Sequence, residues 1–222
     1  MSGFDCIWTD MEHVANDWSA IERQVMVSKI YDTDIIVRVA RGSYSDYIRP
    51  LEADATGIMV PHVMSVQDAQ NIVRSTRFHP LGLRPVDGGN ADGKYCAMDY
   101  DEYTSTSNRE KVVILQIEDP QPLEELEAIC ELEGFDIIFF GPGDFSQSIG
   151  YPGQVLHPEV IRARKRIAEA ARRHNKFAGT VAVGNISELI DEGYQLINIA
   201  ADVIALNKFY SKVIEDFRAL TQ

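Results

Sequence analysis

Short apolar runs alternate with amphipathic stretches along nearly the whole chain. Seven runs rich in Val, Ile and Phe fall at 4–9, 34–39, 57–63, 112–117, 135–140, 177–183 and 196–202. They are too short to be core helices, and the clearest lack the polar alternation of a one-sided strand. That predicts strands buried on both faces, as in a parallel sheet. Helical spacing fills the gaps at 17–29, 44–53 (against the objection of Pro50), 66–76, 97–108, 122–134, 158–174, 185–192 and 203–220. Two stretches read as irregular: 78–111 apart from its short helix, and the Gly/Pro-rich 141–156. A loop as long as the first is usually a functional lid or an oligomer contact.

Regular strand–helix alternation, with no repeat and no linker, predicts one domain over 1–222. It is either a closed (β/α)8 barrel or an open doubly wound sheet. No Gly-x-Gly-x-x-Gly follows the first strand and no P-loop occurs, so a nucleotide-binding fold has little support. A barrel requires an eighth strand, which the pattern does not supply.

The net charge of −13 argues against nucleic-acid and anionic-membrane partners, which need basic patches. It also means that an anionic substrate needs a local cation or arginine. Three cysteines without metal or disulfide spacing suit a reducing compartment. No apolar run approaches the ~20 residues of a membrane span and no signal peptide is evident, so a cytoplasmic protein is expected.

Candidate chemistry gathers where strands end. Glu118 follows the run 112–117, and Asp144 lies just past 135–140. If both strands are parallel, both acids leave the sheet at its carboxyl edge, where ligands of α/β folds sit. Taken singly, such an acid is as readily a solvated or helix-capping residue, Asp144 before Phe145 for example. Gln116 shares a strand face with Glu118 and is either a satisfied core amide or part of a site. Asp10, Glu12 and His13 crowd the end of the first strand, Arg38 interrupts an apolar run, and His62 follows the third. Two carboxylates suit a hard cation such as Mg2+ or Mn2+. Arg38 offers fixed charge to an oxyanion, and His13 beside two acids is a candidate base. The turn 141–144 offers the backbone N–H groups of Gly143 and Asp144 to a carboxylate.

D-x-E-H at 10–13, V-R at 37–38, V-P at 60–61, G-x-R at 82–84, Q-I-E at 116–118, G-P-G-D at 141–144 and H-P-E-V at 157–160 occur in one chain. In order and spacing they resemble the HpcH/HpaI family of class II pyruvate aldolases. The resemblance implies a TIM (β/α)8-type barrel that uses Mg2+, Mn2+ or Co2+. It implies cleavage of a 2-keto-4-hydroxy acid to pyruvate and an aldehyde through a pyruvate enolate. By position, Glu118 and Asp144 match metal ligands, Arg38 the arginine at the keto oxygen, and His13 the base working with Asp10. Gln116 matches the polar residue beside the metal, and Gly143 and Asp144 the amides that hold the pyruvate carboxylate. The resemblance also implies a homo-oligomer, a dimer or a hexamer built from dimers that exchange the terminal helix 203–220.

Two departures stand out. Family members carry about one more β/α unit before the stretch matching GFDCIWTD, so either the native start lies upstream or the barrel lacks its first unit and is open or closed by another subunit. The aldolases usually have an apolar residue where His62 stands. A histidine there resembles macrophomate synthase, a relative that decarboxylates oxaloacetate through the same enolate, and makes His62 a candidate substrate contact. The expected activity is an aldolase. The alternatives are an oxaloacetate-type decarboxylase and a catalytically inactive barrel that serves as a binding or assembly subunit.

Overall fold

The computed structural model describes residues 3–220. Its strands are β1 (Cys6–Asp10), β2 (Asp34–Arg38), β3 (Gly57–Val60), β4 (Val112–Ile117), β5 (Ile137–Phe140), β6 (Phe177–Val181) and β7 (Tyr194–Asn198). The helices are α1 (Trp18–Ile30), α2 (Tyr44–Glu52), α3 (Val66–Thr76), α4 (Tyr100–Glu110), α5 (Leu126–Glu131), α6 (Pro142–Ser148), α7 (Pro158–Arg173), α8 (Ile186–Glu192) and α9 (Asp202–Leu220). All strand pairs are parallel and run in chain order from β1 to β7. A doubly wound sheet reverses its strand order at a switch point. This one never does.

The sheet is strongly curled. In a flat sheet β1 and β5, four strands apart, would be about 19 Å from each other at ~4.8 Å per strand. Instead the rings of Trp8 and Phe139 meet edge to face with centroids 5.5 Å apart. Among the described residues no pairing joins β7 back to β1, so these strands do not make the eight-stranded closure expected of a complete barrel.

Curling gives β2 to β6 two buried faces, which is why their apolar runs show no alternation. Ile36, Met59, Ile114 and Phe139, with Trp8, fill the concave side. Ile35, Val37, Ile58, Val60, Val113, Leu115 and Phe140 point the other way and pack against Ile21, Val25, Leu51, Ile72 and Ile167 of the helices. At the amino edge Arg77, 2% exposed, donates to the carbonyls of Gly134 (2.7 Å) and Lys111 (2.6 Å) and to Asp136 (2.6 Å).

Several boundaries differ from the sequence pattern, and two of the differences have a plain physical cause. The GPGD segment is not all loop: Pro142 opens α6 at its first position, where the fixed φ suits a helix and the missing N–H is no loss. The last strand begins two residues before the expected 196. Gly193, at φ 99°, ends α8 in the left-handed conformation that glycine adopts without strain, and Tyr194 enters the sheet at once. The buried Tyr194 hydroxyl donates to the Arg164 carbonyl at 2.8 Å, and a register shift between Ala178 and Gly179 accommodates the early start.

The long segment before α4 is tied down by a buried ion pair, Arg84 to Asp92 at 2.8 Å, and the Tyr103 hydroxyl donates to the same Asp92 oxygen at 2.8 Å. By contrast α9 buries none of its residues: Val203, Ile204, Leu206, Phe209, Tyr210, Val213 and Ile214 are exposed. No helix among the described residues is long and apolar enough to cross a membrane.

Candidate active site

Strand parity brings three of the expected residues together. Asp10 and Arg38 end their strands and Gln116 is one short of the end of its own, all on the concave side in the same alternation as Trp8, Ile36 and Ile114. Asp10 and Arg38 are register partners. The guanidinium reaches Asp10 through two parallel hydrogen bonds, Nε to Oδ1 at 2.8 Å and Nη2 to Oδ2 at 2.7 Å. Its plane lies over the Trp8 ring, 4.8 Å from the centroid. Nη1 forms an ion pair with Glu12 Oε2 at 3.2 Å, outside hydrogen-bond geometry. Burial alone would raise the Asp10 pKa, but the Arg38 hydrogen bonds and the N–H groups of Glu12 and His13 hold it below the ordinary carboxylate value. The arginine is thus fixed on three sides, with donors left over for a ligand.

Glu118 is the second anchor. It is 1% exposed and accepts from the His62 backbone N–H at 3.0 Å and from the Gln116 amide. Gly141 packs directly on it: a Cβ there would lie 2.5 Å from Glu118 Oε2. Burial is the main influence on Glu118 and, despite those donors and His62, its pKa stays raised. Gln116 spends its N–H on Glu118, which leaves its buried Oε1 without a hydrogen-bond partner among the described residues.

His62 sits between the two acids. Its Nε2 lies 3.7 Å from both Glu12 Oε1 and Glu118 Oε1, and its Nδ1 meets Asp119 Oδ2 at 2.8 Å. Burial opposes a charged imidazole, but the Asp119 hydrogen bond and the charges of Glu118, Asp119 and Glu12 outweigh it and raise the His62 pKa. A field that favours a proton here also favours a cation. Glu12, His62 and Glu118 each present a ligand atom, all within 4.8 Å of one another. A buried carboxylate, a neighbouring acid and an imidazole make a donor set that suits a divalent ion.

The remaining expected residues lie at the rim. The exposed His13 ring pairs with Glu12 at 3.5 Å, while its backbone N–H donates to Asp10 Oδ2 at 3.4 Å. Gly143 and Asp144 are exposed in the first turn of α6, where N–H groups have no intrahelical acceptor. Glu12 was only a crowding acid in the sequence, and Asp119 escaped notice. Alternation along β4 turns Asp119 away from Glu118, but β4 ends at Ile117, so that rule no longer holds there.

The HpcH/HpaI aldolase/citrate lyase family pattern matches residues 1–208. The hydroxypyruvate/pyruvate aldolase of Roseobacter denitrificans is 33% identical over 212 residues, 92% of this chain and 80% of that protein. The crystal structure of an HpcH/HpaI aldolase from Desulfitobacterium hafniense superposes with a TM-score of 0.90 at 27% identity, covering 98% of this chain and 85% of that one. Macrophomate synthase superposes with a TM-score of 0.83 at 25% identity, over 97% and 77% of the two chains.

Proposed function

Because the chain belongs to the HpcH/HpaI aldolase/citrate lyase family, we propose that it is a metal-dependent aldolase that cleaves a 2-keto-4-hydroxy acid to pyruvate and an aldehyde. One observation carries the reading. A carboxylate that is 1% exposed, Glu118, shares a strand-end rim with an arginine locked onto Asp10. Glu118 and Asp144 would hold a divalent ion, Mg2+, Mn2+ or Co2+. When bound, the ion supplies Lewis-acid polarisation of the keto oxygen.

The chain's own groups do the rest. Gly143 and Asp144 receive the substrate carboxylate on their N–H groups. Arg38, immobilised by Asp10 and Trp8, donates to the keto oxygen and neutralises charge that develops there. His13 takes the 4-hydroxyl proton as the C3–C4 bond breaks, and the electron pair of that bond moves toward the keto oxygen. Gln116 orients the Glu118 carboxylate, and His62 faces the substrate beside it.

Exchange of solvent deuterium into the methyl group of pyruvate tests the reading without knowledge of the aldehyde. Cation-dependent exchange that disappears in Glu118→Gln is expected; exchange indifferent to both ion and substitution would defeat it. His62 favours a second reading, oxaloacetate decarboxylation through the same enolate, and parallel assays of the two reactions rank them. We read the sheet as a (β/α)8-type barrel lacking its first unit. The apolar, unburied α9 marks a contact between copies of this chain in a dimer or hexamer.

A further inference from the structure

We propose that His62 binds the active-site cation directly through Nε2, beside Glu118, and that this site therefore prefers Co2+ and Mn2+ over Mg2+. The inference rests on the cation site proposed above. It adds an imidazole to a ligand set otherwise made of oxygens.

Three observations carry it. First, Asp119 holds the other ring nitrogen, Nδ1, at 2.8 Å. A carboxylate accepts from Nδ1–H, so Nδ1 carries a proton, and in the neutral ring, the form that a cation displacing the second proton would bind, Nε2 presents its lone pair. A carboxylate behind one nitrogen of a histidine is the usual arrangement when the other binds a metal. Second, the spacing fits. Metal–nitrogen and metal–oxygen bonds of about 2.0–2.2 Å put two ligands of one ion roughly 3.0–3.5 Å apart. Nε2 is 3.7 Å from Glu118 Oε1 and 3.7 Å from Glu12 Oε1, so a shift of a few tenths of an ångström, on the order of what side chains make, closes a shell. The buried Gln116 Oε1, which lacks a hydrogen-bond partner, belongs to an amide that touches the same Glu118 carboxylate. Third, the backbone is committed to this placement. His62 has φ 48°, a left-handed conformation that a side chain seldom adopts. Its N–H donates to Glu118, Arg41 donates to its carbonyl, and Asp119 holds its ring. Strain this heavily over-determined is typical of a functional position.

Mg2+ binds oxygen ligands and accepts imidazole poorly, whereas the later divalent ions bind it with rising affinity along the series Mn2+ to Co2+. The test is electron spin-echo envelope modulation on the full chain, freed of metal with a chelator and loaded with Mn2+, together with chelator-competition titrations. The wild type is expected to show modulation from a directly bound 14N, which His62→Leu removes. The same substitution is expected to weaken Co2+ at least ~10-fold and Mg2+ less than about 2-fold. Bound Mn2+ without 14N modulation in the wild type overturns the role of His62 and needs no variant to fold. Glu118→Gln separates the two levels. If it abolishes Mn2+ binding while the wild type shows no 14N signal, only His62 is refuted; if Mn2+ affinity is unchanged, the underlying site is refuted as well.

Discussion

Replacing Gly141 by alanine probes the site through a single methyl group. Gly141 has φ −97°, which any residue adopts, so backbone strain contributes nothing. The cost is steric. The added Cβ would stand 2.5 Å from Glu118 Oε2, 2.9 Å from Glu118 Cβ and 3.1 Å from Gln116 Nε2. Comfortable contacts are about 3.5–4.0 Å, so the Glu118 side chain or the α6 backbone must retreat by roughly 1 Å. Glu118 cannot do so freely, because it is buried and bonded to both His62 and Gln116. Overpacking of this kind costs about 1–3 kcal/mol, and in a chain of this size each kcal/mol lowers the melting temperature by roughly 2–4 °C. Ligand positions tolerate only about 0.2 Å, so cation affinity should fall at least ~10-fold. Urea denaturation and cation titration read the two effects. Gly143→Ala is the control: its Cβ would meet nothing within 4 Å and it lies in α6, so its denaturation midpoint should equal or slightly exceed that of the wild type. A Gly141→Ala protein with wild-type midpoint and wild-type cation affinity would refute the packing of Glu118 described above.

Arg38→Ala should lower kcat by about 10²-fold or more, as loss of an oxyanion donor does. It should also change stability against pH. The Asp10 pKa is depressed in the folded state, so its contribution is present above the unfolded value of ~3.9 and lost as pH falls through the folded one. The stability gap between wild type and variant is therefore wide at neutral pH and narrows on acidification, as urea melts at pH 7 and pH 3 would show. Arg77→Ala leaves the carbonyls of Gly134 and Lys111 without their donor, while the part-exposed Asp136 keeps the Val113 N–H, and should destabilise by ~1–3 kcal/mol in the same assay. Ending the chain at residue 201 should reduce the number of subunits that light scattering reads; an unchanged number would remove α9 from the subunit contact.

How much was legible in sequence follows from how local each determinant is. Val112–Ile117 matched its apolar run because both faces of β4 are buried and nothing else fits a short Val/Ile stretch. Asp10, Arg38 and Gln116 were legible as a group because parity and position at a strand end are properties of each segment alone. α6 was hidden because Pro and Gly read as loop formers until Pro142 is seen at a helix start. The meeting of Glu12, His62 and Asp119 was not legible. The three come from distant segments, and the left-handed backbone of His62 leaves no sequence mark beyond the preceding Pro61. Seven strands were legible in the pattern, but the degree of curl appeared only in the Trp8–Phe139 contact.

That contact has a mechanical corollary. The indole of Trp8 meets Phe139 across the hollow of the sheet and also carries the guanidinium of Arg38 on its face. Relaxing the sheet withdraws the support beneath the charge. Shape of the scaffold and readiness of the arginine are therefore coupled, and a substitution at Phe139, which does not touch the arginine's ion pair, should register as a loss of turnover.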